Sequence, residues 1–318
     1  MLEFCVPLVV VALAALSILA VVTPPSMASF HGWLRHHEIH IDDHTGALVQ
    51  VALLKACLVA VLAVVIAAGL GALLELALPI GPRWAYGSVL VLAIAVGVAA
   101  SAVSFPGSSI RRATLAPRTI GDLASRRALA LAVALSIGVP VLALVFGLAY
   151  RSQTRPVRIY PVLTAGPLLP GEDLGFFVHN AALSVLLSVL GILTMRYTLR
   201  RPTFSQAGGD VDLAVRKLFS HRIVAGIVSG QLILLGTTLP GVQMLTLGSV
   251  HRDDGQAFYT VSSTWLVVGV VAGLTALVAG VLLWVLRSGV FHLWPPRPAS
   301  SDLPLDHSNV LATADRAR

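Results

Sequence analysis

The chain has 318 residues and a formal net charge of +7, with 56% apolar residues and only 12% charged residues. Soluble domains carry about 25% charged residues, so a chain with a mean hydropathy of +0.86 cannot cover the surface of a water-exposed globule. The composition therefore excludes an ordinary soluble protein and predicts an all-α bundle of transmembrane helices.

Seven apolar segments are long enough to cross a membrane, because a helix needs about 20 residues to span the hydrocarbon. They must be helical, since an open strand would leave backbone groups unpaired in lipid. The predicted spans are 4–22, 49–74, 85–104, 128–149, 176–195, 223–247 and 264–286. Together they form a predicted membrane domain over residues 1–294, and segment 295–318, which contains Pro, Ser and Arg, is predicted to be a disordered tail.

Basic residues are unevenly distributed between the two sets of loops. Sixteen lie in loops 23–48, 105–127 and 196–222 and the C-terminal segment, and five lie in the loops on the opposite side. Basic loops stay in the cytoplasm, so we expect the N-terminus outside and the C-terminus inside. This asymmetry accounts for the net charge, and no nucleic acid partner is expected.

The choice of basic residue gives a hint about the source of the protein. Arginine supplies 20 of the 22 basic residues, in a chain rich in Ala, Val, Leu and Gly. This bias is typical of high-GC bacteria, in which a multi-pass protein of this kind would lie in the plasma membrane.

A histidine-rich segment lies between the first two predicted spans. His36, His40 and His44 would share one face of a helix, and neutral imidazoles placed in this way bind zinc, nickel or copper. The alternative is a short helix on the membrane surface whose titratable side chains face water. The run His37-Glu38-Ile39-His40 is one residue too short for the zinc protease motif. We therefore favour the surface helix, with weak or no metal binding.

Few polar side chains lie inside the predicted spans. Gln231 is the deepest, in the sixth span, and Pro240 and Gly241 interrupt the apolar run further on. A broken helix lining a cavity, with Glu75 near the outer end of span two, would be typical of a transporter. A glutamine bonded to a neighbouring helix would instead be a packing feature, and packing is the interpretation that we favour.

Two predicted cytoplasmic loops resemble each other. Ile110–Ala116 resembles Leu199–Ser205, and Ser125-Arg126-Arg127 matches Ser220-His221-Arg222. Either spans three and four are repeated as spans five and six, as in transporters built from parallel repeats, or arginine pairs simply flank cytoplasmic helix ends. The arginines in these loops are candidate contacts for anionic lipid or for a protein partner; they are Arg111, Arg112, Arg200 and Arg201.

The sequence contains no Walker motif, no G-x-S-x-G and no CxxC. No catalytic residue and no cofactor is therefore predicted, and an enzyme is the least favoured class. The leading hypothesis is a transport or permease-like membrane component, because of the repeat and the interrupted sixth span. The alternative is a non-catalytic scaffold, regulatory or assembly protein whose basic cytoplasmic loops bind a partner or anionic lipid.

Overall fold

The structure, a computed structural model, describes scattered residues between 47 and 66 together with residues 85–104, 124–151, 157–160, 174–201, 209–239, 241–242, 247–253 and 256–287. The helices within these ranges are α1 (Ala85–Ser104), α2 (Arg126–Arg151), α3 (Leu174–Arg200), α4 (Gly209–Thr238) and α5 (Ser263–Arg287). The strands are β1 (Val157–Tyr160), β2 (Leu247–Asp253) and β3 (Gln256–Ser262).

Four helical segments are long and apolar enough to cross a membrane: Arg126–Ala149, Gly175–Arg200, Val215–Thr238 and Val267–Trp284. The prediction of a membrane protein with apolar spanning helices is therefore confirmed at this level. Helix α1 has the bounds of the predicted third span. The first span, most of the second and segment 295–318 lie outside the described residues. The count of seven spans and the orientation stay predictions.

Helix α4 is the centre of the bundle. It packs against α1, α2, α3 and α5, and 72% of its apolar window is buried, against 28% in α2 and in α5. The outward faces of the surrounding helices carry large apolar side chains, including Ile137, Leu148 and Leu274. Because lipid tails are as apolar as these side chains, such a surface is stable in a bilayer.

From α2 to α5, helices that follow one another in the chain run antiparallel. Phe146, near the end of α2, packs edge-to-face on Phe177, near the start of α3, with ring centroids 6.1 Å apart. Trp284, near the end of α5, contacts Gly226, just past the middle of α4, whereas Gly273, earlier in α5, approaches Gly236 near the end of α4. One end of the bundle therefore holds the start of α2, the end of α3, the first half of α4 and the end of α5.

This end of the bundle, called the basic end below, is strongly positive. Its acidic residues among those described are Asp210 and Asp212, and its basic residues are Arg126, Arg127, Arg196, Arg200, Arg201, Arg216, Lys217, Arg222 and Arg287. The described basic residues of the opposite end are Arg151, Arg158 and Arg252. The asymmetry noted in the loops thus extends into the helix ends.

Glycines let α4 and α5 approach closely. A Cβ on Gly236 would lie 2.7 Å from the carbonyl oxygen of Gly273, and a Cβ on Gly280 would lie 2.8 Å from the carbonyl oxygen of Ser229. Both distances are too short for a real Cβ, so only glycine fits without moving backbone. Small residues of this kind allow close helix contact in membrane bundles.

A small three-stranded sheet lies beside the helices. Strand β3 is central, parallel to β1 and antiparallel to β2. Strand β1 follows α2, and the hairpin of β2 and β3 precedes α5. The sheet therefore joins the ends of α2 and α5 that lie opposite the basic end. The sequence pattern did not indicate it, because strands of four and seven residues give a weak periodic signal and Val157 pairs with the distant Tyr259.

Helix α4 has different bounds from the predicted sixth span, 223–247. Helix α4 begins at Gly209 and ends at Thr238, and β2 begins at Leu247. Proline lacks a backbone N–H and disfavours helix in the preceding residue, so Pro240 follows the end of α4 and does not interrupt it. Helix α4 thus ends just before the Pro240-Gly241 pair that was predicted to interrupt the sixth span, and residues 240 and 243–246 lie outside the described residues.

The matched loop segments also differ in local structure. Ser125 precedes α2 and its hydroxyl accepts a hydrogen bond of 3.2 Å from the N–H of Ala128, which is the geometry of a helix N-cap. Ser220, its predicted equivalent, lies inside α4 and is fully buried. Similar sequences thus precede a helix at Ser125 and lie in the middle of a helix at Ser220.

Candidate functional site: buried polar clusters between α3 and α4

The buried polar side chains of the described residues are concentrated along one helix pair. All of them lie on α3, on α4 or at Arg201, directly after α3. Most of them fall into two groups. The amide cluster consists of the buried Asn180, Ser184, Gln231 and Thr238 together with the half-buried Ser188 and Thr237, and the arginine cluster consists of Arg201, Asp212, Arg216 and Arg222. The amide cluster lies toward the sheet, and the arginine cluster lies at the basic end.

Gln231 is the centre of the amide cluster and is fully buried. Its Oε1 accepts a hydrogen bond of 2.7 Å from the hydroxyl of Ser184, and its Nε2 donates to the carbonyl oxygen of Ser184 and to the hydroxyl of Ser188, each at 3.0 Å. The Ser184 carbonyl can only accept, so it determines which way the amide is turned. Both donors and the acceptor of the side chain are therefore used within the helix pair.

Asn180 makes the second link between the two helices. Its Nδ2 donates to the hydroxyls of Thr237 and Thr238, at 3.2 and 3.3 Å. Each hydroxyl in turn donates to the carbonyl oxygen of Leu234, at 2.9 and 2.7 Å. Asn180, Ser184 and Ser188 are spaced four residues apart and lie on one face of α3. This polar stripe was a sequence signal for the cluster, although only Gln231 was singled out.

Arg216 organises the arginine cluster. Its Nε lies 2.7 Å from Oδ2 of Asp212, and the two side chains are 2% and 1% exposed. Its Nη1 donates to the carbonyl oxygens of Thr198 and Leu199, at 2.6 and 3.1 Å, and its Nη2 donates to that of Arg201, at 2.7 Å. The last carbonyls of a helix have no partner within the helix, and a cation beside them is favourable. Arg216 therefore caps the end of α3.

Arg216 and Asp212 were missed by the sequence reasoning. They lie in the segment 196–222, which was taken as a cytoplasmic loop, whereas the structure has α4 starting at Gly209. An acidic residue four positions before an arginine is a pair spacing that favours a helix. That spacing was the available signal for an early helix start.

The predicted lipid or partner contacts have different surroundings. Arg200 is exposed, whereas Arg201 is only 6% exposed and its guanidinium lies 5.6 Å from the ring centroid of Phe219. Burial, followed by the positive charge of Arg216, lowers the pKa of Arg201 to about 10. Arg201 thus belongs to the interior of the fold and is not a surface contact. Arg111 and Arg112 lie outside the described residues.

The other predicted site residues lie outside the described residues; they are His36, His40, His44 and Glu75. Within the described part of the chain, no group of three or more His, Cys, Asp or Glu side chains could hold a metal ion. Weak or no metal binding by the histidine segment, and a cavity or packing role for Glu75, stay predictions.

A recess among the described residues lies between α1, α3 and α4. Its lining is mostly apolar and includes Val98, Leu187, Thr194 and Ile223. It has room for about one water molecule. No residue of the amide cluster lines this recess, and the hydrogen bonds of Gln231 connect protein groups directly.

Comparison of the chain with family models, curated proteins and solved structures found no similar protein. A functional assignment therefore has to rest on the geometry of these two clusters and on the distribution of charge over the bundle.

Proposed function

We propose that this protein is a non-catalytic membrane scaffold or assembly protein whose basic end faces the cytoplasm and contacts anionic lipid or an acidic partner. The observation that carries the proposal is the completed hydrogen bonding of Gln231 with Ser184 and Ser188. A polar group that is fully bonded inside a helix pair strengthens the pair. The proposed location is the plasma membrane of a high-GC bacterium.

A transport or permease-like component is the alternative. It is favoured by the depth of Gln231, because polar side chains inside a membrane often mark a substrate path. A path, however, needs groups that exchange their partners with water or substrate. Here both donors and the oxygen of the Gln231 amide are already hydrogen-bonded to Ser184 and Ser188, and the described recess, lined by other residues such as Leu187 and Ile223, has room for about one water. These features support the scaffold over the transporter.

Water access to the amide cluster separates the two functions. In a background with Cys5→Ser and Cys57→Ser, we would introduce Ser184→Cys and treat membranes with a small charged thiol reagent from each side. A scaffold predicts no labelling at position 184, because the site is enclosed. Labelling from either side would indicate a path and would favour transport. Ser125→Cys is the positive control, since Ser125 is exposed at the basic end.

The proposed orientation has its own test. A reporter that is active only outside the cytoplasm should be active when fused after Arg158, which lies in β1, because few basic residues lie on that side. The same reporter should be silent after Arg118 or after Gly208. Activity at either of these two positions would contradict the orientation.

A further inference from the structure

Four arginines lie at nearly the same height at the basic end. Phe146 of α2 and Phe177 of α3 are in contact and the helices are antiparallel. Arg126 is twenty residues before Phe146 and Tyr197 is twenty residues after Phe177, so both lie about 30 Å from the aromatic pair. Arg127 and Arg196 are next to that level, and Arg200 is about one turn beyond it.

The side chains of these four arginines point away from the interior of the bundle. Arg126, Arg127, Arg196 and Arg200 are all exposed, in contrast to Arg201 and Arg216. Among the described residues none of the four forms an ion pair. Helix α2 begins at this level and α3 ends there, so their dipoles oppose each other and the arginines dominate the local charge. This level therefore concentrates positive charge that the described part of the fold does not neutralise.

Large apolar side chains are exposed just below the arginines. Leu131 of α2 and Ile192 of α3 are 51% and 53% exposed, and by the same register they share one height, about 7 Å nearer the membrane centre. Tyr197, 42% exposed, lies at the level of the arginines, where aromatic rings meet lipid headgroups. A soluble acidic protein would match the charge but not the apolar surface, whereas an anionic phospholipid matches both.

We propose that Arg126, Arg127, Arg196 and Arg200 bind the headgroup phosphate of an anionic phospholipid whose acyl chains lie against Leu131 and Ile192. Arginine forms paired hydrogen bonds to phosphate oxygens, and negative lipids of the cytoplasmic leaflet attract basic residues near the membrane surface. The proposal rests on the proposed function in one respect, that the basic end faces this leaflet. It names the lipid site and does not depend on the absence of transport.

Lipid selectivity of the purified full-length chain tests the site. In neutral detergent micelles, we would titrate phosphatidylglycerol or phosphatidylcholine and measure bound lipid by native mass spectrometry. The wild type should prefer phosphatidylglycerol. The preference should fall about fivefold for each arginine removed, and the variant with Arg126→Gln, Arg196→Gln and Arg200→Gln should lose it. Arg196→Lys should keep part of it, because the charge remains while the paired geometry is lost.

Matched controls make each outcome informative. Arg151→Gln removes an arginine from the opposite end of α2 and should leave the preference unchanged. Circular dichroism would establish that the triple variant is folded; if it is not, the single Arg196→Gln and Arg196→Lys variants decide. Equal binding of the two lipids by the wild type, or an unchanged preference in the variants, would overturn the proposal.

Competition distinguishes the source of the phosphate and the class of partner. Excess inorganic phosphate should not displace the lipid, because it has no acyl chains; full displacement would indicate a site for free anions. Binding of a soluble polyglutamate peptide in place of phosphatidylglycerol would indicate an acidic protein. If Ser184→Cys is not labelled and the protein shows no lipid preference, the scaffold function stays supported and the lipid site is contradicted. If Ser184→Cys is labelled and the lipid preference is retained, the lipid site stays supported and the scaffold function is contradicted.

Discussion

Replacing Arg216 by methionine should strongly destabilise the bundle. The change removes the cation that lies 2.7 Å from Asp212, and it leaves that carboxylate inside the fold with 1% of its side chain exposed. Breaking a buried ion pair by removing one partner costs about 3–5 kcal/mol. Three carbonyl oxygens at the end of α3 also lose their donor.

Losing the hydrogen bonds to these three carbonyl oxygens should destabilise the bundle by less than the sum of their individual free energies. Hydrogen bonds to a charged group are each worth about 1.5–3 kcal/mol, but carbonyls at a helix end next to the membrane surface can bind water instead. We therefore expect the free energy of unfolding to fall by about 3–5 kcal/mol in total. Arg216→Lys should lose less, because a point charge keeps the attraction to Asp212 without the planar fork.

The measurement is the free energy of unfolding in mixed micelles, with the denaturing detergent varied and helix content followed by circular dichroism. Lys217→Met is the control, since it removes a positive charge from the next residue of α4, which is only half-buried. It should cost less than about 1 kcal/mol. The double variant Arg216→Met and Asp212→Asn should be more stable than the sum of the single changes implies, by at least about 1 kcal/mol.

Two results would refute this reasoning. One is a decrease of less than about 1 kcal/mol in the free energy of unfolding for Arg216→Met, which would mean that Arg216 and Asp212 do not form a buried ion pair in the folded protein. The other is strict additivity of the two changes, which would mean that Asp212 does not depend on Arg216 for its stability in the interior.

Three further changes test other parts of the structure by the same unfolding measurement. Gln231→Leu removes three hydrogen bonds between α3 and α4 and should cost about 1–2 kcal/mol, with a measurable coupling to Ser184→Ala; full independence of the two changes would contradict the network. Gly236→Ala should cost about 1–3 kcal/mol, because its Cβ would meet backbone atoms of α5. Gly138→Ala is the control and should be neutral or stabilising, since no atom lies within 4 Å of its Cβ. Similar costs at both glycines would contradict the close packing of α4 and α5. Ser125→Ala should cost about 1 kcal/mol through loss of the N-cap of α2, and no change would show that the cap is dispensable in micelles.

The spanning helices α2, α3 and α5 overlap the spans read from the sequence, and the physical reason is local. An apolar run of about 20 residues has one stable form in hydrocarbon, because only a helix pairs its backbone groups within the segment. Gln231, singled out from the sequence as a polar side chain within an apolar span, is fully buried in the fold.

Features that depend on two distant segments did not follow from the sequence. The early start of α4 at Gly209 is stabilised by Arg216, whose partners include carbonyls at the end of α3. The sheet depends on pairing between Val157 and Tyr259. Neither contact leaves a periodic pattern in either segment alone.

Arg200 and Arg201, which follow the fifth predicted span, show that the sequence also did not determine which of two adjacent residues is exposed. From sequence alone, Arg200 and Arg201 were equivalent candidates for a lipid or partner contact. In the fold Arg200 is exposed and Arg201 lies over the ring of Phe219. Successive helical positions point about 100° apart, so at the end of α3 the position of α4 decides which arginine is buried. Composition determined that the chain forms apolar helices suited to a membrane, and packing of α4 against α3 decided which of the two arginines is exposed.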